Sequence, residues 1–134
     1  MPSLKEFDAL KKIVTEIDTG MAEYASQEKA AKELLAIQEK AEIAIAKKHG
    51  LSGPNDNAFS QYDSEVQKDP NFKRAAQETT TIMAEKKKTV EKVKAAKAKA
   101  KTAKAALDKV LPKADKKIQD EVKKFYTDNK SALS

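Results

Sequence analysis

The larger apolar residues in the first fifty positions recur at steps of three and four. Such steps place side chains on one face of an α-helix. The pattern predicts a first long helix over about residues 4–48, beginning near Ser3, whose hydroxyl stands in capping-box spacing with Glu6. The positions on this apolar face are Leu4, Phe7, Leu10, Ile13, Ile17, Met21, Tyr24, Leu34, Ile37, Ala41 and Ile45.

Gly20 lies inside this predicted helix, where glycine costs about 1 kcal/mol relative to alanine. The apolar stripe keeps its phase from Ile17 to Tyr24, so we expect one continuous helix. The alternative is a break at the glycine. The same phase predicts that Met21, and Met83 in the second half of the chain, pack in the core.

The segment HGLSGPND ends the first helix, because its two glycines permit positive φ and its proline cannot extend a helix. A connector follows over about residues 51–69, and the helical spacing of Phe59, Tyr62 and Val66 predicts a short helix within it. Phe59 and Tyr62 form an exposed apolar surface for partner docking if the connector projects. The alternative is that they fold back onto the helices.

Asp69 and Pro70 combine an N-cap residue with a proline at the first helical position. This pair predicts the start of a second long helix, rich in lysine and alanine, over about residues 70–111. Pro112 ends or kinks that helix, and a C-terminal helix is predicted over about residues 114–129.

The predicted elements favour an all-α fold. Two helices of about 40–45 residues would each be about 60–65 Å long, and a connector of about 20 residues favours an antiparallel pair. Alanine accounts for 22 of the 53 hydrophobic residues, so a compact core would be thin at roughly 25 cal/mol per Å² of buried apolar area. We therefore expect one helical domain over residues 1–134, an elongated, coiled-coil-like hairpin with short connector and C-terminal helices.

The positive charge of the chain is concentrated on the second long helix. The whole chain has a net charge of +6, whereas residues 71–112 carry 12 basic and 4 acidic residues, a net +8. At about 100° of rotation per residue, one strip of lysines lies beside an alanine-rich apolar seam. Its members are Lys86, Lys94, Lys97, Lys101 and Lys104.

Two interpretations of this lysine strip remain open. Lysines that neutralise phosphates would give salt-dependent binding of nucleic acid or another polyanion, independent of its sequence. Alternatively, acids of the first helix neutralise the strip within the hairpin. The position of the connector leads us to expect that the residue numbers of two facing positions add up to about 120. In that register the ion pairs are Glu16–Lys104, Asp18–Lys101, Glu23–Lys97 and Glu28–Lys92.

The composition argues against base recognition. Arg74 is the only arginine among 27 basic residues, whereas bidentate base contacts favour arginine, asparagine or glutamine. No aromatic residue lies between Phe72 and Phe125, so the strip has no platform on which single-stranded bases could stack. If the strip binds nucleic acid, we expect coating rather than sequence recognition.

Catalytic and cofactor chemistry finds no support in the sequence. The chain has no cysteine, no glycine-rich phosphate loop and one histidine, His49, placed at a helix exit where a basic side chain favours the helix dipole. We assign no catalytic, metal or cofactor residue, no small-molecule substrate, and expect no enzyme. The start lacks the profile of a signal peptide and no run reaches about 20 apolar residues, so we expect a soluble, intracellular or virion-associated protein.

Two functional hypotheses follow. The first is a non-enzymatic structural or assembly protein that packs against copies of itself or within a larger complex, as a scaffold, virion component or accessory subunit does. The alternative is a sequence-nonspecific nucleic-acid-coating protein that uses the lysine strip. The sequence does not identify the partner or the oligomeric state.

Overall fold

A computed structural model describes residues 4–134, so the predicted cap at Ser3 lies outside the described residues. The prediction of an all-α fold is confirmed, because residues 4–134 contain helices and no strand. The helices are α1 (Lys5–Lys48), α2 (Asp63–Lys68), α3 (Pro70–Val110), α4 (Lys116–Asp128) and α5 (Lys130–Leu133), with 3₁₀ turns at Asn57–Tyr62 and Leu111–Lys113. The two long helices, α1 and α3, pack together.

Local chemistry explains where the long helices end and begin. At the end of α1, Gly50 adopts a positive φ of 73°. Its N–H donates to Lys47 O at 3.0 Å and the next N–H donates to Ala46 O at 2.9 Å, the two bonds of a Schellman cap. At the start of α3, the Asp69 carboxylate accepts a bond from the Phe72 N–H at 3.0 Å. Pro70 is the first helical residue there, where its missing N–H costs nothing.

The chain forms two compact units. The terminal unit comprises both chain ends, and its described part covers residues 4–24 and 88–134. The central unit covers residues 25–87. Each unit contains a segment of α1 and a segment of α3, and each has a hydrophobic cluster of its own.

The core of the terminal unit joins α1 and α3 to the C-terminal helices. The largest fully buried side chains are Leu10 and Ile17 of α1, Leu107 of α3 and Val122 of α4. The Phe125 ring of α4 meets the ring of Phe7 edge to face, with centroids 5.4 Å apart. This geometry is favourable for aromatic pairs. The amphipathic α4 therefore adds a third helical layer to this unit.

The buried face of α1 differs from the predicted stripe at several positions. Val14 is buried, with 3% of its surface exposed, although it was not on the predicted face. The predictions that Met21 and Met83 pack in the core are wrong, since they are 42% and 52% exposed, and Ile37 is 44% exposed. Val14 belongs to the cluster that includes Val122 of α4, which the stripe of α1 alone does not indicate.

Gly20 occupies the core position beside Met21. The helix α1 continues through this glycine without a break. A Cβ atom added to Gly20 would lie 2.6 Å from Val93 Cγ2 of α3, far inside the range of real contacts. Because Gly20 has no side chain, the Val93 side chain can pack directly against it, and the two helices approach closely at this point.

Ten of the buried and half-buried positions of α3 follow alternating steps of four and three along the helix. Their mean spacing of about 3.5 residues is the heptad period of helices that wrap around a partner helix. Three of the ten positions are polar or charged. The ten are Thr79, Lys86, Val93, Ala100 and Leu107 in one series and Ala75, Ile82, Thr89, Ala96 and Ala103 in the other, and the remaining half-buried positions of α3 are Phe72, Ala76, Lys97, Lys104 and Val110.

The central unit has a smaller core at one end. Ile45 and Ala46 of α1 pack with Phe59 of the 3₁₀ turn and Val66 of α2. Leu34 of α1 and Ala75 of α3 are buried elsewhere in the unit, and the long helices also make a polar contact there. Gln38 Nε2 of α1 donates a hydrogen bond to Thr79 Oγ1 of α3 at 3.1 Å.

Candidate polyanion-binding surface

The two units differ in charge. Residues 1–24 and 88–134, which make up the terminal unit, contain 17 basic and 11 acidic residues, a net charge of +6. Residues 25–87 contain 10 of each and have no net charge. The excess positive charge of the chain therefore belongs to the terminal unit, where four of the five predicted lysines lie.

Lys86 is the member of the lysine strip that belongs to the central unit. It stands at one of the buried positions of α3, and its side chain is only 20% exposed. Its Nζ lies 3.9 Å from Glu28 Oε1 of α1. Lys86 is therefore a charged member of the contact between the helices rather than a free surface lysine.

Three predicted lysines line one open groove in the terminal unit. Lys97, Lys101 and Lys104 lie along α3, and Leu133 of α5 lines the same groove. The remaining lining residues are Ala98, Ala105, Asp108 and Ser134. Lys94 is exposed one turn earlier on α3 and does not line the groove. The structure thus gathers part of the predicted strip, and we call this feature the lysine groove.

The lysine groove contains one acidic side chain, which is held by two neighbours. The Tyr126 O–H of α4 donates to Asp108 Oδ1 at 2.8 Å. Lys104 Nζ lies 3.3 Å from Asp108 Oδ2 and 4.7 Å from the centre of the Tyr126 ring. Burial raises the pKa of Tyr126, and its bond to Asp108 raises it further, so this hydroxyl remains a proton donor. The charge of Lys104 is consequently neutralised locally.

The other lysines of the strip in this unit have no ionic partner among its described residues, 4–24 and 88–134. Within residues 4–134, no carboxylate lies within the 4.0 Å ion-pair distance of Lys94, Lys97 or Lys101. The Lys94 and Lys101 side chains are exposed and Lys97 is half-buried. These three ammonium groups are therefore available to an external anion.

None of the four predicted ion pairs with acids of α1 forms among residues 4–134, and the one contact between the strip and an α1 acid is that of Lys86 with Glu28. Glu28 lies beside Lys86, six residues before the predicted Lys92. The register differs from the predicted one because Val93 packs against Gly20. In the predicted register, where the numbers of facing residues add up to about 120, Gly20 would instead face residue 100. The other three predicted α1 partners form no ion pair among the described residues: Glu16, Asp18 and Glu23.

The proposed docking surface at the connector is not exposed. Phe59 is 7% exposed and belongs to the core of the central unit. The Tyr62 ring stacks on the His49 ring, with centroids 3.8 Å apart. The two aromatic side chains therefore fold back onto the end of α1, as the alternative interpretation held.

His49 also takes part in an ionic cluster that the sequence did not indicate. Its Nε2 lies 2.5 Å from Glu65 Oε2 of α2, and Lys48 Nζ lies 2.6 Å from Glu65 Oε1. The hydrogen bond from Lys48, followed by that from His49, holds the pKa of Glu65 below its ordinary value. The cluster fastens α2 to the end of α1.

Sequence reasoning missed Asp108, which lines the groove, and Tyr126, which bonds to it from outside the lining. The spacing of Lys104 and Asp108, four residues apart on one helix, is a detectable signal for their ion pair. Tyr126 has no such signal, because it reaches Asp108 from a separate helix, 18 residues further along the chain. Only the packing of α4 on α3 brings the two together.

Comparison of the chain with protein-family models, curated proteins and solved structures finds no match. None of the helices within residues 4–134 combines the length and the apolar content needed to cross a bilayer.

Proposed function

We propose that the protein is a non-enzymatic structural or assembly protein whose long helices form an elongated, antiparallel, coiled-coil-like hairpin. The heptad spacing of the inward-facing positions of α3 supports the coiled-coil character. Two contacts in the central unit support the antiparallel direction. Position 28 of α1 meets position 86 of α3, and position 38 meets position 79. As one number rises the other falls.

The observation that carries the assembly proposal is the set of large apolar side chains left in solvent. Six of them are 42–53% exposed: Met21, Leu35, Ile37, Ile43, Met83 and Val90. Burying one such side chain stabilises a contact by about 1.5–3 kcal/mol. Partner helices, from a second copy or from a larger complex, would cover such side chains.

The test is a sedimentation-velocity and small-angle scattering series over protein concentration. We expect association that increases with concentration, and a radius of gyration well above the ~14 Å of a compact chain of this length. A compact monomer with a constant radius at every concentration would contradict the proposal.

A pair of variants tests which surface associates. Leu35→Gln with Met83→Gln makes two of the four exposed apolar positions of the central unit polar and should weaken association while helicity is retained. The matched control is Ala36→Gln with Ala84→Gln, which adds the same side chains at neighbouring exposed positions of the same helices. Equal association of the two double variants would exclude Leu35 and Met83 from the interface.

A second candidate function is sequence-nonspecific binding of nucleic acid through the terminal unit. It is favoured by one observation, namely that Lys94, Lys97 and Lys101 have no carboxylate partner among the described residues. The test is a titration of the wild-type chain with duplex DNA over a range of salt concentrations. Absence of binding at about 50 mM salt, where phosphate contacts are strong, would refute this candidate. The two functions are compatible, since assembly and the lysine groove use different residues.

A further inference from the structure

We propose that the lysine groove of the terminal unit binds the phosphate backbone of double-stranded nucleic acid, and that Asp108 limits its affinity. The proposal rests on the second candidate function and deepens it, because it assigns the contact to one groove and gives it an internal competitor. Lys97 and Lys101 are the principal contacts, and Lys104 is a third that is partly withheld.

The lysines of the groove are spaced suitably for a phosphate backbone. Lys97, Lys101 and Lys104 follow one another at steps of four and three residues on α3, so they lie on one side of the helix. They span about 10.5 Å of the helix axis at 1.5 Å per residue. That length equals about three base-pair steps along the duplex axis, at 3.4 Å each.

The groove favours contact with the backbone over contact with bases. Its lining includes alanine and leucine side chains but no aromatic residue. The neighbouring aromatic side chain, Tyr126, has Lys104 over its ring and its hydroxyl bonded to Asp108. Single-strand binding proteins rely on free aromatic faces on which successive bases stack. A groove that presents two unpaired ammonium groups and no such faces is suited to the outside of a duplex.

Asp108 opposes this binding in two ways. Its carboxylate lines the groove and repels a phosphate by like charge. It also occupies the Lys104 ammonium at 3.3 Å, so a phosphate must compete for that lysine. The bond from Tyr126 at 2.8 Å keeps the carboxylate in place from the neighbouring helix. The wild-type groove therefore presents two unpaired lysines and one paired lysine.

The experiment measures fluorescence anisotropy of a labelled 20-base-pair DNA duplex against wild-type and variant chains, from 50 to 200 mM salt. The first variant is Lys97→Gln with Lys101→Gln. The logarithm of the binding constant falls with the logarithm of the salt concentration, and each lost phosphate contact makes this fall less steep by about 0.9. The same loss weakens the affinity about 8-fold at 0.1 M salt. We expect the affinity of the double variant for the duplex to be about 60-fold weaker at that salt concentration, and the size of its slope to be smaller by about 1.8.

The matched control is Lys88→Gln with Lys92→Gln. It removes the same charge at the same four-residue spacing from exposed positions of the same helix, outside the groove. Its loss should be small compared with that of the groove variant. If the wild type binds duplex and both double variants lose affinity equally, the groove assignment is overturned while the nucleic-acid function stands. If the wild type does not bind, the function itself fails.

The second variant, Asp108→Asn, tests the internal competitor. Asparagine can still accept the Tyr126 hydrogen bond, so circular dichroism should show unchanged helicity. Release of Lys104 adds up to one contact, and we expect a gain of up to about 8-fold at 0.1 M salt. The control is Asp120→Asn, which makes the same charge change at an exposed position of α4 outside the groove. An equal gain in both variants would overturn the role of Asp108.

A final comparison distinguishes nucleic acid from a membrane surface. The same variants are tested for sedimentation with vesicles of phosphatidylcholine containing phosphatidylserine. Under the proposal, the wild type binds the duplex more tightly than these vesicles at equal salt. Preferential binding to the vesicles, lost in Lys97→Gln with Lys101→Gln, would overturn the assignment to nucleic acid.

Discussion

Replacing Gly20 with alanine distinguishes a glycine that is merely tolerated from one that the packing requires. Helix propensity alone predicts stabilisation by about 1 kcal/mol, because glycine is disfavoured in a helix interior. The structure predicts the opposite sign. The new Cβ would lie 2.6 Å from Val93 Cγ2, about 0.8 Å inside the 3.4 Å at which ordinary contact begins.

The size of the stability change in Gly20→Ala depends on how far the Val93 side chain can move away from the new methyl group. Val93 is β-branched and lies within α3, where valine strongly prefers one rotamer, so its methyl group cannot swing away freely. Overpacking of this kind costs about 1–3 kcal/mol. Against the propensity gain, we expect the free energy of unfolding of Gly20→Ala to fall by about 1 kcal/mol.

The assay is urea unfolding followed by circular dichroism, with a double-mutant cycle. Val93→Ala removes the obstructing methyl group, so the combination with Gly20→Ala should be more stable than the sum of the single effects by about 1–2 kcal/mol. Ala22→Gly, at an exposed position of the same helix, measures the local propensity difference as a control. A Gly20→Ala variant that gains about 1 kcal/mol, with additive effects in the cycle, would refute the close approach.

Two further predictions test the cores of the two units. Leu107 is fully buried, so Leu107→Ala should lower the free energy of unfolding by about 2–5 kcal/mol in a urea titration, whereas the near-isosteric Leu107→Met should cost less than about 1.5 kcal/mol. Comparable losses in both would contradict this packing. The pKa of Glu65 is held below its ordinary 4.5, so the carboxylate stabilises the folded chain above that pH, and this contribution is lost as the pH falls through the lowered pKa. Glu65→Gln should therefore destabilise the chain at pH 7, and its deficit relative to the wild type should shrink as the pH is lowered below 4.5; a deficit that does not depend on pH would count against the cluster with Lys48 and His49.

The elements of the fold follow closely from local chemistry. Asp69 and Pro70 indicate the start of α3, and glycine at position 50 indicates the end of α1, because each residue favours a backbone geometry that its neighbours within a few positions complete. Such signals depend only on residues close together in the chain, so one sequence suffices to find them.

The core positions are predicted less well, because burial depends on every helix that packs nearby. Val14 is buried in the cluster that contains residues of α4, whereas Met21 remains exposed beside a glycine that admits the opposite helix. The apolar pattern of α1 alone predicts neither the burial of Val14 nor the exposure of Met21. The burial of Phe59 similarly depends on the end of α1 and on α2.

The candidate site shows the same division. The sequence by itself determined which residues can form the lysine strip, since helical rotation places Lys97, Lys101 and Lys104 on one side of α3. The tertiary structure alone decided which lysines are paired. The fit of Val93 against Gly20 sets a register that removes the expected partners on α1, and the packing of α4 brings Tyr126 to Asp108. An ion pair forms only when the two charged groups lie within a few ångströms of each other. The helical period specifies in which direction a side chain leaves its own helix, but it does not specify how two helices are aligned along their lengths.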